Sequence, residues 1–258
     1  MLRLWPEEIQ VGLFADHCWL RKGRSGPVRE YPANEPRVDS TLLERLAPML
    51  DDPAHALRPG AKVALLVSDA LAALTAMPWQ PALDHPGELR RYAEVCFEKQ
   101  GTEIDSDWSL HAQFRHYEAS GLAYALPAAW LAELHRVLQD RGLRLGRVLP
   151  ASAAAYFLAR RGDRTGRQIL LLRELRRTTA LSLGPRGLDG LDVEPVTSSS
   201  GASVARLLRR LRADANPIAN ATLWTAEPQS HASPRMGLAA ELPDTRLHTL
   251  AREALHAA

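Results

Sequence analysis

The predicted order of strands and helices occurs twice along this chain, and that repeat constrains the fold more than any other feature of the sequence. In each half, three strands linked by short turns precede a helix, a strand and another helix. The first half begins with alternating apolar residues at Ile9, Val11 and Leu13, a period of two that predicts a strand. The second half begins again with the apolar run ILLL at 169–172. Because the halves share an order of elements but no sequence motif, we predict two lobes of similar α/β construction.

The rest of the first half follows this pattern. Residues 19–21 and 28–31 are predicted strands on either side of a turn that contains Gly and Pro. Residues 41–44, TLLE, form the capping box that begins a helix, and Pro48 predicts that this helix kinks or ends there. Residues 62–68 contain VALLV, which is typical of a buried parallel strand.

The stretch that follows is predicted to be an inserted α+β unit. A strand is predicted at 71–78, and an amphipathic helix begins at Pro86 and ends before Gly101. The alternation from Trp108 to His116 predicts a second strand, and a turn at 119–121 joins it to a third in which Leu122, Tyr124 and Leu126 alternate with alanines. A helix striped with leucine then runs from Pro127 to Gly142.

These patterns divide the chain into three parts. The first lobe takes residues 1–70 and 143–160, the inserted subdomain 71–142, and the second lobe 161–258. The last lobe is predicted to hold strands at 168–172, 178–183, 188–193 and 221–225, a helix at 200–211, a mobile loop at 227–242, and a closing helix that carries Leu247, Leu250, Ala251, Ala254 and Leu255.

The composition excludes several classes of protein. The chain is 46% hydrophobic and 24% charged with a net charge of +2, which rules out a disordered chain. It has no apolar run of about 20 residues to span a bilayer, and its start lacks the apolar core of a signal peptide. Cys18 and Cys96 make neither a disulfide framework nor a metal motif. The 32 basic residues nearly balance 30 acidic ones, which argues against a nucleic-acid partner, and we expect a cytoplasmic protein.

Three segments carry a resemblance to a known family. They are VGLFADHCWLRKG at 11–23, ELRRYAEVCFEKQGTEIDSDWSLHAQF at 88–114 and LPAAWLAELHRVLQDRGLRLGRVLPASAAAY at 126–156. In these segments and in the order of its elements, the chain resembles the actin-like cytoplasmic scaffold proteins of type IV pilus and type II secretion machines, of the PilM and GspL type. The resemblance implies an actin-like, RNase H-like fold of two lobes, with the α+β subdomain inserted in the first.

The same resemblance implies a function without catalysis. A scaffold of this type binds the cytoplasmic tail of a bitopic inner-membrane assembly protein, and the secretion or pilus ATPase is a further implied partner. The chain would then lie at the inner membrane through its partners, without a span of its own.

Departures from the nucleotide-binding pattern of actin-like proteins argue against a cofactor. Members that bind nucleotide have an Asp-x-Gly turn in each half, whose backbone N–H groups face phosphate and whose Asp holds the metal. In this chain the first turn is expected at Phe14-Ala-Asp16, the second at Arg173-Glu-Leu175, and the adenosine turn at Thr225-Ala-Glu227. All three lack the required residues. We therefore expect no catalytic residues, no metal, no cofactor and no ATP hydrolysis.

Two functions of other classes stay open as alternatives. The first is a divergent actin-like ATP-binding protein or phosphotransferase that uses replaced ligands. The second is an RNase H-like nuclease, which needs a cluster of carboxylates on its strands for two metals. Phe14 and Arg173 argue against the nuclease.

Aromatic residues of the insert are the candidate partner-binding residues, namely Tyr92, Phe97, Trp108 and Phe114. They are predicted to line a groove between the insert and the main body, where an extended tail docks or adds a strand. The competing interpretation is that they form the small core of the insert. The arginines 206, 209, 210 and 212 similarly predict either a solvated helix face or a site for an acidic partner or anionic lipid headgroups.

Overall fold

The computed structural model describes residues 7–23, 26–32, 42–81, 83, 85–158, 167–196, 200–212, 218–225 and 246–249. In chain order, the strands are β1 (Glu8–Leu13), β2 (His17–Lys22), β3 (Val28–Pro32), β4 (Lys62–Val67), β5 (Ala73–Met77), β6 (Trp108–Gln113), β7 (Gly121–Pro127), β8 (Arg144–Pro150), β9 (Arg167–Arg173), β10 (Arg177–Gly184), β11 (Gly187–Pro195), β12 (Ile218–Thr225) and β13 (Arg246–Thr249). The α-helices are α1 (Leu42–Leu50), α2 (Pro86–Glu98), α3 (Ala128–Gln139), α4 (Ala151–Leu158) and α5 (Ser200–Arg212).

Two five-stranded sheets repeat one topology. The first sheet has the order β3-β2-β1-β4-β8 and the second the order β11-β10-β9-β12-β13. In each sheet the first strand of the half pairs antiparallel with its hairpin neighbour and parallel with the fourth strand. The predicted repeat of topology is therefore confirmed. We call the two sheets with their helices the first and second lobes.

The end of the second lobe differs from the prediction. Leu247 lies in β13, which pairs in parallel with β12, and not in a helix. The apolar spacing from residue 247 onward favours a helix, but the free edge of β12 accepts a further strand, and pairing along that edge prevails over the local pattern. Residues 250–258 and the predicted loop at 227–242 lie outside the described residues.

The first sheet is covered on both faces, and this changes what its alternating pattern means. The alternation in β1 puts Gln10 on the face opposite Ile9 and Val11, yet Gln10 is buried together with Arg21 of the neighbouring strand. Nε of Arg21 donates to Oε1 of Gln10 at 2.9 Å. This hydrogen bond offsets part of the cost of burying an amide and a guanidinium among apolar side chains.

Helix α1 does not end at Pro48 but continues to Leu50. Pro48 is exposed, and two residues follow it, so the missing N–H removes a hydrogen bond near the end of a short helix. Leu43, Leu46 and Leu50 are buried as predicted. The first capping residue, Thr41, lies outside the described residues.

The insert forms a three-stranded sheet of order β5-β7-β6, and its predicted hairpin is confirmed. The alternation in β7 has a clear structural use. Leu122 and Leu126 face the core that the first lobe shares with the second, whereas Ala123 and Ala125 face α2. The small alanine side chains let α2 approach the sheet closely, and the larger leucine side chains fill the main core.

Helix α3 belongs to the first lobe by its packing. Its buried residues Leu134, Val137 and Leu138 lie in the main core and not in the core beneath α2. The crossover from β4 to the parallel strand β8 therefore ends in a helix that covers the first sheet, as parallel pairing requires. Among the helices of the described residues, none has both the length and the apolar character needed to cross a bilayer.

The insert and the second lobe join at Gly187. The backbone N–H of Ser120 donates to the carbonyl of Arg186 at 2.6 Å, and Ser120 forms an isolated parallel bridge with Gly187. Gly187 has φ +98°, and a Cβ there would lie 2.5 Å from O and 2.8 Å from N of Ser120. A side chain at this position would strain its own backbone and push the two parts apart.

We expect Gly187→Ala to lower the free energy of unfolding by about 1–3 kcal/mol, because it combines an unfavourable φ with a backbone clash. Urea denaturation followed by circular dichroism measures the loss. Gly190→Ala is the matched control on the same strand, because a Cβ at that position meets nothing within 4 Å. Equal losses for the two variants would contradict the proposed role of Gly187.

Candidate functional site

The first turn of each lobe has the same backbone geometry. The N–H of Phe14 donates to the carbonyl of His17 at 3.0 Å, and the N–H of Glu174 donates to the carbonyl of Arg177 at 2.9 Å. Phe14 and Glu174 therefore occupy equivalent positions at the ends of β1 and β9. Our sequence placement of the second turn at Arg173-Glu-Leu175 was wrong by one residue, because Arg173 still belongs to β9 and pairs with Thr178. The position equivalent to Phe14 thus carries an acid in the second lobe.

The turn of the first lobe is filled by an aromatic side chain. Phe14 is buried and stacks on His17, with the ring centroids 5.1 Å apart. Nη1 of Arg45 donates to the carbonyls of Phe14 and Ala15, at 3.3 and 2.8 Å. The shorter of these two hydrogen bonds, to the carbonyl of Ala15, fixes the backbone of the turn. The ring of Phe14 occupies the place that an acid has in the other lobe.

Glu174 reaches from the second lobe to the end of β4 in the first. Its Oε2 accepts the hydroxyl of Ser68 at 2.7 Å, and its Oε1 accepts the backbone N–H of Asp69 at 2.9 Å. Ser68 also caps the short 3₁₀ helix Asp69–Leu71, because its Oγ accepts the N–H of Ala70 at 3.2 Å. Glu174 therefore acts as the acceptor for donors at the start of that 3₁₀ turn.

Asp69 is completely buried and accepts hydrogen bonds from both lobes. The N–H of Ser152, at the start of α4, donates to Oδ1 at 2.9 Å, and the hydroxyl of the same residue donates to Oδ2. The hydroxyl of Thr179 on β10 donates to Oδ2 at 3.2 Å. Nη1 of Arg177 donates to the backbone carbonyl of Asp69 at 2.9 Å.

These six residues form one continuous network, which we call the interlobe ring; its members are Ser68, Asp69, Ser152, Glu174, Arg177 and Thr179. Burial raises the pKa of Glu174 to about 8, and the negative charge of Asp69 adds to the effect. Burial likewise raises the pKa of Asp69, against the opposing effects of Arg177 and the Ser152 and Thr179 hydrogen bonds. Two buried carboxyls beside a single guanidinium favour the protonated form of one of them.

All four carboxyl oxygens of Asp69 and Glu174 accept a hydrogen bond from a donor of the protein itself. A polyphosphate or a cation at this place would have to displace Glu174 from Ser68 and Asp69. Within the residues that the structure describes, no group of three or more His, Cys, Asp or Glu side chains is arranged to hold a metal ion. The third predicted turn, at 225–227, lies partly outside those residues.

Sequence reasoning did not find the ring, although one indication was available. Glu174 is an acid that directly follows the apolar strand β9, in the turn that leads to β10. Asp69 and Glu174 are 105 residues apart, and no local pattern connects them.

The four predicted partner-binding aromatics all pack on the core beneath α2. Phe97 is 1% exposed and lies in the core beneath α2, so it cannot contact a partner directly. Tyr92, Trp108 and Phe114 are half-buried against the same core, and the hydroxyl of Tyr92 donates to the carbonyl of Pro78 at 3.0 Å. Phe97 is therefore a core residue of the insert, because it packs between α2 and strand β7.

A different aromatic group reaches the surface of the insert. Trp79 makes edge contacts with Phe114 and Tyr117, with ring centroids 4.9 and 5.3 Å away. Tyr117 is 79% exposed. The sequence analysis missed Tyr117 because it lies in the loop after β6, outside any periodic pattern. We call Trp79, Phe114 and Tyr117 the aromatic triad.

The triad lies beside the contact between the insert and α4. Nη1 of Arg115, between two triad residues in sequence, donates to the carbonyl of Tyr156 at 2.7 Å, and its guanidinium lies 5.9 Å from the centre of that ring. The hydroxyl of Tyr156 donates to the carbonyl of Ser120 at 3.3 Å. The loop that carries Phe114 and Tyr117 is therefore fixed to the main body.

The arginine-rich face of α5 has a partner within the chain. Nε of Arg206 and Nη1 of Arg210 each lie 2.6 Å from a carboxylate oxygen of Glu194 on β11. Hydrogen bonds from these arginines lower the pKa of Glu194, although burial opposes them. The predicted solvated or acidic-partner face is thus in part an internal ion-pair cluster; the side chain of Arg212 lies outside the described set.

Comparisons with solved structures identify the fold. The chain matches a Bacteroides thetaiotaomicron protein with an actin-like ATPase fold and unknown function at a TM-score of 0.58 and 7% identity, over 96% of this chain and 94% of that one. It matches a structure of the type IV pilus biogenesis complex of PilM and PilN at a TM-score of 0.61 and 15% identity, over 94% of this chain and 88% of that one.

A third match is the cytoplasmic domain of EpsL, an inner-membrane component of the type II secretion system of Vibrio cholerae. Here the TM-score is 0.53 and the identity 14%, over 88% of this chain and 86% of that one. No protein-family model matches the sequence, and no curated protein matches it either. The chain has the actin-like α/β fold, as the order of its elements predicted.

Proposed function

We propose that this actin-like protein is a non-enzymatic cytoplasmic scaffold of a type IV pilus or type II secretion assembly, and that it binds the cytoplasmic tail of a membrane partner. The observation that carries the proposal is the position of Glu174, whose carboxyl accepts the donors of Ser68 and Asp69 across the cleft. Because its own side chains close the cleft, the protein is better suited to act as a rigid binding body than as a catalyst.

The structural likenesses support the same class of function. One similar structure is a complex of PilM with PilN, and another is the cytoplasmic domain of an inner-membrane component of a secretion system. Both cover most of this chain. The likeness supports the fold directly, and we extend it to a role in assembly as a proposal.

We place the tail-binding surface on the insert. Strand β6 is an edge of the insert sheet, and within the described residues it pairs with β7 alone. Its residues alternate between half-buried and exposed, so an extended tail would gain main-chain hydrogen bonds along the edge and apolar contacts on one face. The neighbouring aromatic triad supplies an exposed ring, Tyr117, for a tail side chain.

Titration with tail peptides from membrane proteins encoded beside this gene tests the proposal. We expect binding by calorimetry with a dissociation constant near the micromolar range, about −8 kcal/mol. Tyr117→Ala is expected to weaken binding by roughly tenfold, about 1.4 kcal/mol, through loss of an aromatic contact. Val193→Ala, at an exposed apolar residue of β11, is the control and should leave binding unchanged.

Failure of every neighbouring tail to bind would contradict the scaffold function. Binding that Val193→Ala weakens and Tyr117→Ala does not would instead contradict the placement on the insert.

The second candidate is a divergent ATP-binding protein or phosphotransferase, which the acid at Glu174 favours, because that residue occupies the first position of the second turn. A ligand at 100 times its dissociation constant adds about 2.7 kcal/mol of stability, a clear rise in melting temperature. We expect no such rise with Mg-ATP, measured by differential scanning fluorimetry. A rise of several degrees would favour the second candidate over the first.

A further inference from the structure

The interlobe ring connects the two lobes in both directions. Glu174 of the second lobe accepts donors of the first, at Ser68 and at the N–H of Asp69. Asp69 of the first lobe accepts donors of the second, from Thr179 to its carboxylate and from Arg177 to its carbonyl. Each acid thus accepts hydrogen bonds from the lobe to which it does not belong, and Asp69 accepts two more from Ser152 of its own lobe.

The charges of the ring do not balance without a proton. Among the described residues, the charged groups that mainly shift the pKa values of the two carboxyls are the carboxyls themselves and Arg177 of β10. The side chains that donate hydrogen bonds to the two carboxyls are the neutral ones of Ser68 after β4, Ser152 of α4 and Thr179 of β10. With both acids ionised, the buried ring would carry a net negative charge, which is costly inside a protein. One bound proton makes it neutral.

We propose that Glu174 carries a proton in the closed protein while Asp69 is ionised, and that loss of this proton releases the β9–β10 turn from the first lobe. Each accepted hydrogen bond favours the ionised form of a carboxyl, and Asp69 accepts three on its carboxylate whereas Glu174 accepts two, so Glu174 is the better carrier of the proton. When protonated, Glu174 donates from Oε2 to Oγ of Ser68, which reverses the direction of that hydrogen bond. The ring is therefore a pH-dependent latch across the cleft.

The direction of the pH effect follows from the raised pKa. Glu174 holds its proton to about pH 8 in the closed ring, while a solvated glutamate loses it near 4.5. Closure is therefore fully favoured below pH 4.5, weakens as the pH rises from 4.5 to 8, and changes no further above 8. The released turn would expose Ser68 and the N–H of Asp69 to solvent.

The backbone amide of Asp69 reports on the latch directly, because it donates to Glu174 across the cleft. Hydrogen exchange of the full chain, corrected for intrinsic exchange rates, should show protection at this amide falling by up to about tenfold per pH unit between pH 5 and 8. In Glu174→Gln, which keeps the shape but cannot ionise, protection should not vary with pH. Glu194→Gln, at an acid of the same lobe outside the ring, should behave as the unmodified protein.

A titration of the unmodified protein keeps the proposal testable if the glutamine variant does not fold. Carbon-13 NMR of the Glu174 carboxyl should give a midpoint near pH 8. A midpoint near 4.5, protection at the Asp69 amide that is constant with pH, or a Glu174→Gln variant with the pH response of the unmodified protein would each overturn the latch.

Discussion

Replacing Asp69 by alanine is expected to lower the free energy of unfolding by about 3–5 kcal/mol at pH 7, the loss typical of removing one partner from a buried charged network. The change leaves the N–H and hydroxyl of Ser152 and the hydroxyl of Thr179 without their acceptor, in a place that water does not reach. It also leaves Arg177 without the neighbouring negative charge of Asp69. Guanidinium denaturation followed by tryptophan fluorescence measures the effect.

Glu103→Ala is the control for this loss. Glu103 is an exposed acid of the insert, and its replacement should change stability by less than about 0.5 kcal/mol. A loss below about 1 kcal/mol for Asp69→Ala would mean that the ring contributes little more than a surface hydrogen bond.

Phe97→Ala is expected to cost about 3–5 kcal/mol of stability, the range for removing a large aromatic side chain from a core. Phe97 packs with Met77, Ala93 and Ile104 in the core beneath α2, and its loss leaves a cavity that these side chains cannot fill. The measurement is urea denaturation, with hydrogen exchange of α2 as a local readout.

The control, Tyr117→Ala, removes an aromatic side chain that is 79% exposed and should cost less than about 0.5 kcal/mol. The pair separates the two interpretations of the insert aromatics. We expect Phe97→Ala to affect stability and Tyr117→Ala to affect tail binding. If instead Phe97→Ala weakened tail binding and Tyr117→Ala lowered stability, Phe97 would be a contact residue and its place in the core would be contradicted.

Much of the fold was predictable because its central strands have strong local patterns. The alternation in β1, the apolar run in β4 and the hairpin of β6 and β7 were predicted from sequence and are found in the structure. The last strand, β13, was not, because its pairing with the edge of β12 depends on contact between distant parts of the chain. Local periodicity contains no information about such an edge.

The site was less predictable than the fold. The first turn was placed correctly from the residues that follow β1, but the second was placed one residue early because Arg173 was taken as part of the turn. That shift concealed the acid at Glu174. Asp69 attracted no attention in the sequence, since a lone aspartate after an apolar strand is a common way to begin a turn.

The packing of α3 and β7 has a consequence for protein engineering. Both elements fall in the part of the chain that sequence reasoning assigned to the insert, yet Leu134 of α3 and Leu122 of β7 complete the core of the main body. A chimera that exchanges residues 71–142 with those of another protein would remove part of the host's own interior. Transplanting specificity between such proteins therefore requires cut points within this stretch, at the surface loops around α2, where the grafted piece brings its own packing partners and leaves the recipient's intact.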